Sequence, residues 1–227
     1  MSRPSYGTAF PLWREGAGSE WGAYTGHRFV RGLADGSLPR SAFLHYLIQD
    51  YVFLVHFSRA WSLAAVKSET MDEMKTCAAT VNALVNFEMD LHVKTCAAEG
   101  IREDQLFDAR EDVETLAYTR YVIDAGVQGD FLDMMAALAP CVMGYGEIGA
   151  TLAREAGDTP YRDWIETYAS DEYQDLCATV GTMIDGALAH RLGEDPSASP
   201  RWARLQDRFT TATRLEAGFW SMGMRSA

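Results

Sequence analysis

Residues 134–153 are the most apolar stretch of this chain, and they constrain its fold more than any other segment. A membrane-spanning helix needs about 20 such residues. This stretch, however, is interrupted by Pro140, Gly144, Gly146 and Gly149 and carries the acid Glu147. It therefore reads as the buried central helix of a globular protein, and no membrane association is expected. Pro140 lacks a backbone N–H, which frees the carbonyl four residues earlier and is expected to bend or loosen the helix where Cys141 projects. Cys141, Tyr145 and Glu147 place a thiol, a phenol and a carboxyl within two turns, a combination that reads as one wall of a small-molecule pocket.

Helical periodicity runs through the rest of the chain, and no alternating run of Val, Ile and Thr bounded by turn residues suggests a strand. The expectation is an all-α, single-domain helical bundle of seven to eight helices over residues 1–227. The first helix is placed at about 19–33, ended by Asp35-Gly36, and a long second one opens at Pro39 and runs to about 65. Thr70 and Glu73 form a capping box for a third that stops before Gly100, and residues 102–111 read as a loop or one short turn. Further helices follow at about 112–125, 130–156 and 161–168. Ser170 is the N-cap of another ending near 192, and Ser199-Pro200 opens the last. With 48% hydrophobic residues and no composition break, 227 residues can bury one sizeable core.

A formal net charge of −12 opposes any sequence-independent grip on phosphate backbones or anionic lipid, so no nucleic-acid partner is expected. The N-terminal segment has no apolar run followed by a small-residue cleavage site, and a cytoplasmic location is expected. Four cysteines without a CxxC pair read as free thiols, and Cys77, Cys96 and Cys177 fall at positions where a small hydrophobe suffices.

Two helical seams carry an acid where the core should be. On the second helix Phe43, Leu47, Asp50, Leu54 and Trp61 share one face, and on the last Trp202, Leu205, Phe209, Ala212, Glu216 and Phe219 do. A buried unpaired carboxylate costs several kcal/mol, so each acid needs either local donors or a ligand. Tyr51 and Phe53 flank Asp50, while Phe219 and Trp220 stand one turn beyond Glu216. Acids beside aromatic surface suit a flat heteroaromatic ligand. Glu88 and His92, four residues apart, have a spacing that can serve a metal, but a di-iron bundle wants two Glu-x-x-His pairs. The pair is better read as a satisfied supporting pair, with no metal expected. His27, His45, His56 and His190 show no recognisable partner and read as ordinary helix residues.

These segments converge on a known family. YLIQDYVFL at 46–54, YTRY at 118–121, LAPCVMGYGEIG at 138–149, WIETYAS at 164–170 and RLEAGFW at 214–220 resemble the TenA/thiaminase II family, in its order and at near its spacing. The resemblance implies a haem-oxygenase-like fold and an aminopyrimidine aminohydrolase of thiamin salvage, acting on an aminopyrimidine or on thiamin. It further implies that Cys141 is the nucleophile, that Glu216 is the acid/base, and that Asp50 binds the aminopyrimidine edge. Tyr118, Tyr145 and Tyr168 map onto pocket tyrosines, and Phe53 and Phe219 onto pocket phenylalanines. No cofactor is implied, and a homotetramer is. Met143 stands where the family often has Trp, and Ser221-Met222-Gly223 is a smaller ending than usual. Two other functional classes remain open at this level: an iron oxygenase using Glu88, His92 and Glu147, and a non-catalytic pyrimidine-binding or regulatory relative.

Overall fold

The computed structural model describes residues 4–226. Among them the regular structure is helical throughout, in twelve α-helices, one π-helical segment and two 3₁₀ turns. The excess over seven to eight arises at the N-terminal end and between residues 71 and 107, where one expected helix is interrupted and a short one follows. Residues 9–17, not anticipated from the sequence, form α1 (Ala9–Ala17), and the single helix expected at 19–33 is two, α2 (Ser19–Thr25) and α3 (Arg28–Asp35). The break falls at Gly26-His27, where the His27 ring accepts the Phe29 N–H at 3.2 Å and caps α3. The described residues fall into two compact units, the first comprising those up to Leu38 with Met135–Ala217 and the second Pro39–Met134 with those from Gly218 on.

In the first unit the apolar stretch is helical as expected, within α9 (Phe131–Glu155), which continues unbroken through Pro140. Around it stand α10 (Arg162–Ala169), α11 (Asp171–Leu192) and most of α12 (Trp202–Gly223). Aromatic rings of Phe10, Trp13, Trp21, Tyr24 and Phe209 fill the core, all at most 1% exposed. Trp21 stacks on Phe209 with ring centroids 5.6 Å apart. The start of α1 has no local cap. Instead the Asp185 carboxylate of α11 accepts the N–H groups of Thr8 at 2.6 Å and Ala9 at 2.9 Å, a tertiary partner no local pattern announces. Ser170 caps α11 by accepting the Tyr173 N–H at 3.2 Å, as read from the sequence. Gly149 lets α10 approach α9, because a Cβ there would lie 2.5 Å from the carbonyl carbon of Tyr168.

The second unit is organised by α4 (Arg40–Val66), which packs against α5 (Met71–Ala83), α6 (Met89–Ala98), α7 (Glu103–Phe107) and α8 (Val113–Gln128). The Thr70–Glu73 capping box is formed. Buried Gln49 fastens the connection into α8, donating to the Arg110 carbonyl at 2.9 Å and accepting the Asp112 N–H at 3.0 Å and the Thr115 hydroxyl at 2.6 Å. Between α5 and α6 the helix widens into one π turn, Leu84–Glu88. The inward seam of α5 runs Glu73, Cys77, Thr80, Leu84, and the wider turn delays its continuation to His92 and Cys96, both fully buried. At about 3.6 residues per turn that continuation would fall roughly one residue earlier.

Candidate active site

Each unit holds part of the residue set singled out by the sequence. In the first, Cys141 and Tyr145 lie one turn apart on α9, 8% and 4% exposed. Side-chain donors engage the α9 carbonyls on this stretch. The Tyr24 hydroxyl donates to Pro140 at 3.3 Å, the Tyr173 hydroxyl and the Cys177 thiol to Val142 at 3.3 Å each, and the Gln174 amide to Gly146 at 3.0 Å. Tyr145 meets the edge of Tyr168 at 4.9 Å and lies 5.9 Å from Trp164, so two of the expected tyrosines are in contact. Glu216 is 1% exposed on α12, on the same seam as Leu205, Phe209 and Ala212, and faces inward as its spacing requires.

Glu147 corrects the initial picture of a thiol, phenol and carboxyl forming one wall. Its Oε2 accepts the Arg14 guanidinium at 2.7 Å and its Oε1 the Trp21 indole N–H at 3.1 Å. Six residues after Cys141, it points elsewhere around the helix, and a strong cation binds it.

In the second unit Asp50 is 3% exposed on α4, between Leu47 and Leu54 of its seam. Its Oδ2 accepts the Tyr46 hydroxyl at 2.9 Å and lies 2.6 Å from His92 Nε2. The other ring nitrogen, Nδ1, is 3.0 Å from the Glu88 backbone carbonyl. Among the described residues no hydrogen bond reaches Asp50 Oδ1. Burial by itself lowers the His92 pKa, but the hydrogen bond and charge of Asp50, with Glu88 nearby, carry it above its usual value. One turn along α4 from Asp50, Phe53 packs on Tyr118 at 4.7 Å and Phe219 at 5.6 Å, and Tyr46 meets the Phe219 edge at 6.1 Å. The structure thus brings Asp50, Phe53, Tyr118 and Phe219 together in one aromatic-lined cluster.

His92 is the residue that sequence reasoning misassigned. The spacing paired it with the Glu88 side chain, whereas the ring bonds the Glu88 backbone and an aspartate 42 residues away. Of this group only Tyr46, one helical turn before Asp50, was legible as a neighbour. Other histidines also have partners beyond local view: His45 Nε2 lies 2.9 Å from Asp112 and His56 Nε2 3.5 Å from Glu111. Among the described residues no three His, Cys, Asp or Glu side chains group as a metal site. Burial pushes the thiols of Cys77 and Cys96 up to about 11, which fits their reading as inert small hydrophobes.

The TENA/THI-4/PQQC family profile matches residues 17–226. An aminopyrimidine aminohydrolase of Halalkalibacterium halodurans is 36% identical over 220 residues, which cover 96% of this chain and 92% of that protein. Among solved structures, a TenA family transcription regulator from Silicibacter sp. TM1040 superposes with a TM-score of 0.95 at 60% identity, covering 96% of this chain and 97% of that one. A domain with a haem oxygenase-like fold from Shewanella denitrificans, 13% identical, aligns with a TM-score of 0.61 over 97% and 94% of the two chains, a likeness of fold alone.

Proposed function

Because this chain belongs to the TENA/THI-4/PQQC family, we propose that it is an aminopyrimidine aminohydrolase of thiamin salvage, a thiaminase II, working by covalent cysteine catalysis. Its substrate is 4-amino-5-aminomethyl-2-methylpyrimidine, with thiamin as the second candidate, and its product is the hydroxymethylpyrimidine. The observation that carries this reading is Asp50, a buried acid that, among the described residues, is held through Oδ2 alone and set beside the Phe53, Tyr118 and Phe219 rings.

The chemistry follows from the residue types. The Cys141 thiolate adds to ring carbon C6 while Glu216 delivers a proton to a ring nitrogen, which makes the ring an electron sink. Electrons returning toward C5 expel the amine, in its ammonium form, from the exocyclic methylene as ammonia. Water adds to that methylene and gives its released proton to the ammonia, the ring proton returns to Glu216, and elimination of the thiolate restores the aromatic ring. Asp50 accepts from the 4-amino group and fixes the ring's orientation, and Phe53, Phe219, Tyr118, Tyr145 and Tyr168 take the role of pocket aromatics that the family resemblance gives them. The net reaction is hydrolysis of a C–N bond and requires no redox step, cofactor or metal. In this reading the enzyme is a cytoplasmic homotetramer.

The Silicibacter neighbour is described as a regulator, but a net charge of −12 opposes DNA binding here, and a passive module has no use for both Cys141 and Glu216. The deciding experiment compares hydrolysis of the aminopyrimidine and of thiamin by purified protein. Turnover of either supports the reading. Turnover of neither, or an activity that requires stoichiometric iron, overturns it.

A further inference from the structure

His92 is fully buried and both of its ring nitrogens face acceptors, the Glu88 carbonyl at 3.0 Å and Asp50 Oδ2 at 2.6 Å. A carbonyl only accepts, so Nδ1 carries a proton. Oδ2 already accepts from the Tyr46 hydroxyl at 2.9 Å, which favours a carboxylate there and places the shared proton on Nε2. A buried ion pair of this kind is a poor source of stability, because the cost of desolvating both groups cancels much of their attraction. The π turn at Leu84–Glu88 is what delivers the ring to Asp50, and such turns recur at functional sites.

From this geometry we infer that His92 is a positioning residue: it clamps Oδ2 of Asp50, keeps the carboxyl group an acceptor, and reserves Oδ1 for a donor on the ligand. The inference rests on the aminopyrimidine reading and adds to it a cause for ligand selection. An acceptor-only Oδ1 pairs with a 4-amino group and is repelled by the lone pairs of a 4-oxo group. Without His92, the buried carboxyl group loses the cation that keeps it charged and can take up a proton from solvent; it then donates to an oxo group and loses its preference.

The test uses His92→Phe, which removes the clamp, and His92→Gln, whose amide N–H reaches about as far as Nε2. Affinities are measured by calorimetry for 4-amino-5-hydroxymethyl-2-methylpyrimidine and its 4-oxo analogue, alongside kcat and KM for the aminomethyl substrate. Removing a hydrogen bond to a charged group predicts that His92→Phe binds the amino compound roughly tenfold or more weaker, with KM rising more than kcat falls. The ratio of amino to oxo affinity narrows with it, a readout that packing damage alone leaves unmoved. His92→Gln stays within about threefold of the wild type.

An active wild type with an insensitive His92→Phe overturns the inference and leaves the proposed function standing. So does a folded His92→Gln as impaired as His92→Phe. A wild type that neither binds nor hydrolyses the pyrimidine overturns both. Should the variants fail to fold, nitrogen NMR of the wild type at about pH 7.5 decides: two protonated ring nitrogens support the clamp, and a bare Nε2 overturns it.

Discussion

The Arg14 guanidinium lies 2.7 Å from Glu147 Oε2, and it turns a carboxylate on the most apolar helix of the chain into a structural ion pair. The side chains are 16% and 4% exposed, so the carboxylate has almost no water to fall back on. Replacing Arg14 with Met leaves the Trp21 indole as its remaining partner in this pair of contacts and is expected to cost about 3–5 kcal/mol. Urea denaturation measures it, and a loss below about 1 kcal/mol means that Glu147 needs no cation.

Cys141→Ser should keep the fold and pyrimidine binding but lose turnover, since a serine hydroxyl without an activating base is a far poorer nucleophile than a thiolate. Steady-state kinetics checks this. Activity within about tenfold of the wild type contradicts covalent thiol catalysis.

Glu216→Gln preserves shape and hydrogen bonding but carries no proton. The catalytic rate is expected to drop roughly a hundredfold or more with binding little changed. If the variant unfolds instead, Glu216 satisfies buried donors. A folded variant with a near-normal rate leaves the acid/base role to another group.

Asp50→Asn retains size but can present a donor to the ligand's own amino group. Affinity for the hydroxymethylpyrimidine should weaken by roughly tenfold or more in a calorimetric titration. Unchanged affinity removes Asp50 from the site.

The pH dependence of stability reports on the same pair. His92 is carried above its usual value near 6.5 by Asp50, with Glu88 also nearby, so the folded protein holds this proton more tightly than the unfolded chain does. The resulting stabilisation is fully present below about 6.5 and is lost as pH rises through the raised value. His92→Gln has no such proton to hold. Its deficit against the wild type in chemical denaturation should therefore shrink as pH rises above about 6.5, and a deficit that grows with pH contradicts the paired state.

Much of this protein was determined by local sequence. The α4 seam, the Thr70–Glu73 capping box, the Ser170 cap and the burial of Asp50 and Glu216 all follow from residues within a few turns of each other. Such features depend on helical spacing and on donors a few residues away, which a linear reading sees directly. Asp50 and Glu216 stood out because an acid on an apolar face has few local explanations, and Cys141 because Pro140, Tyr145 and Glu147 lie around it at helical spacing. Tertiary structure alone decided which partners those groups have. Asp185 capping α1, Arg14 and Trp21 on Glu147, and His92 on Asp50 join residues far apart in the chain. The π turn at Leu84–Glu88 shifts by about one residue which side chains face inward, so helical spacing alone could not bring His92 to the carboxylate. A side chain's orientation is set by its own turn of helix, but the group it meets is set by how the helices pack.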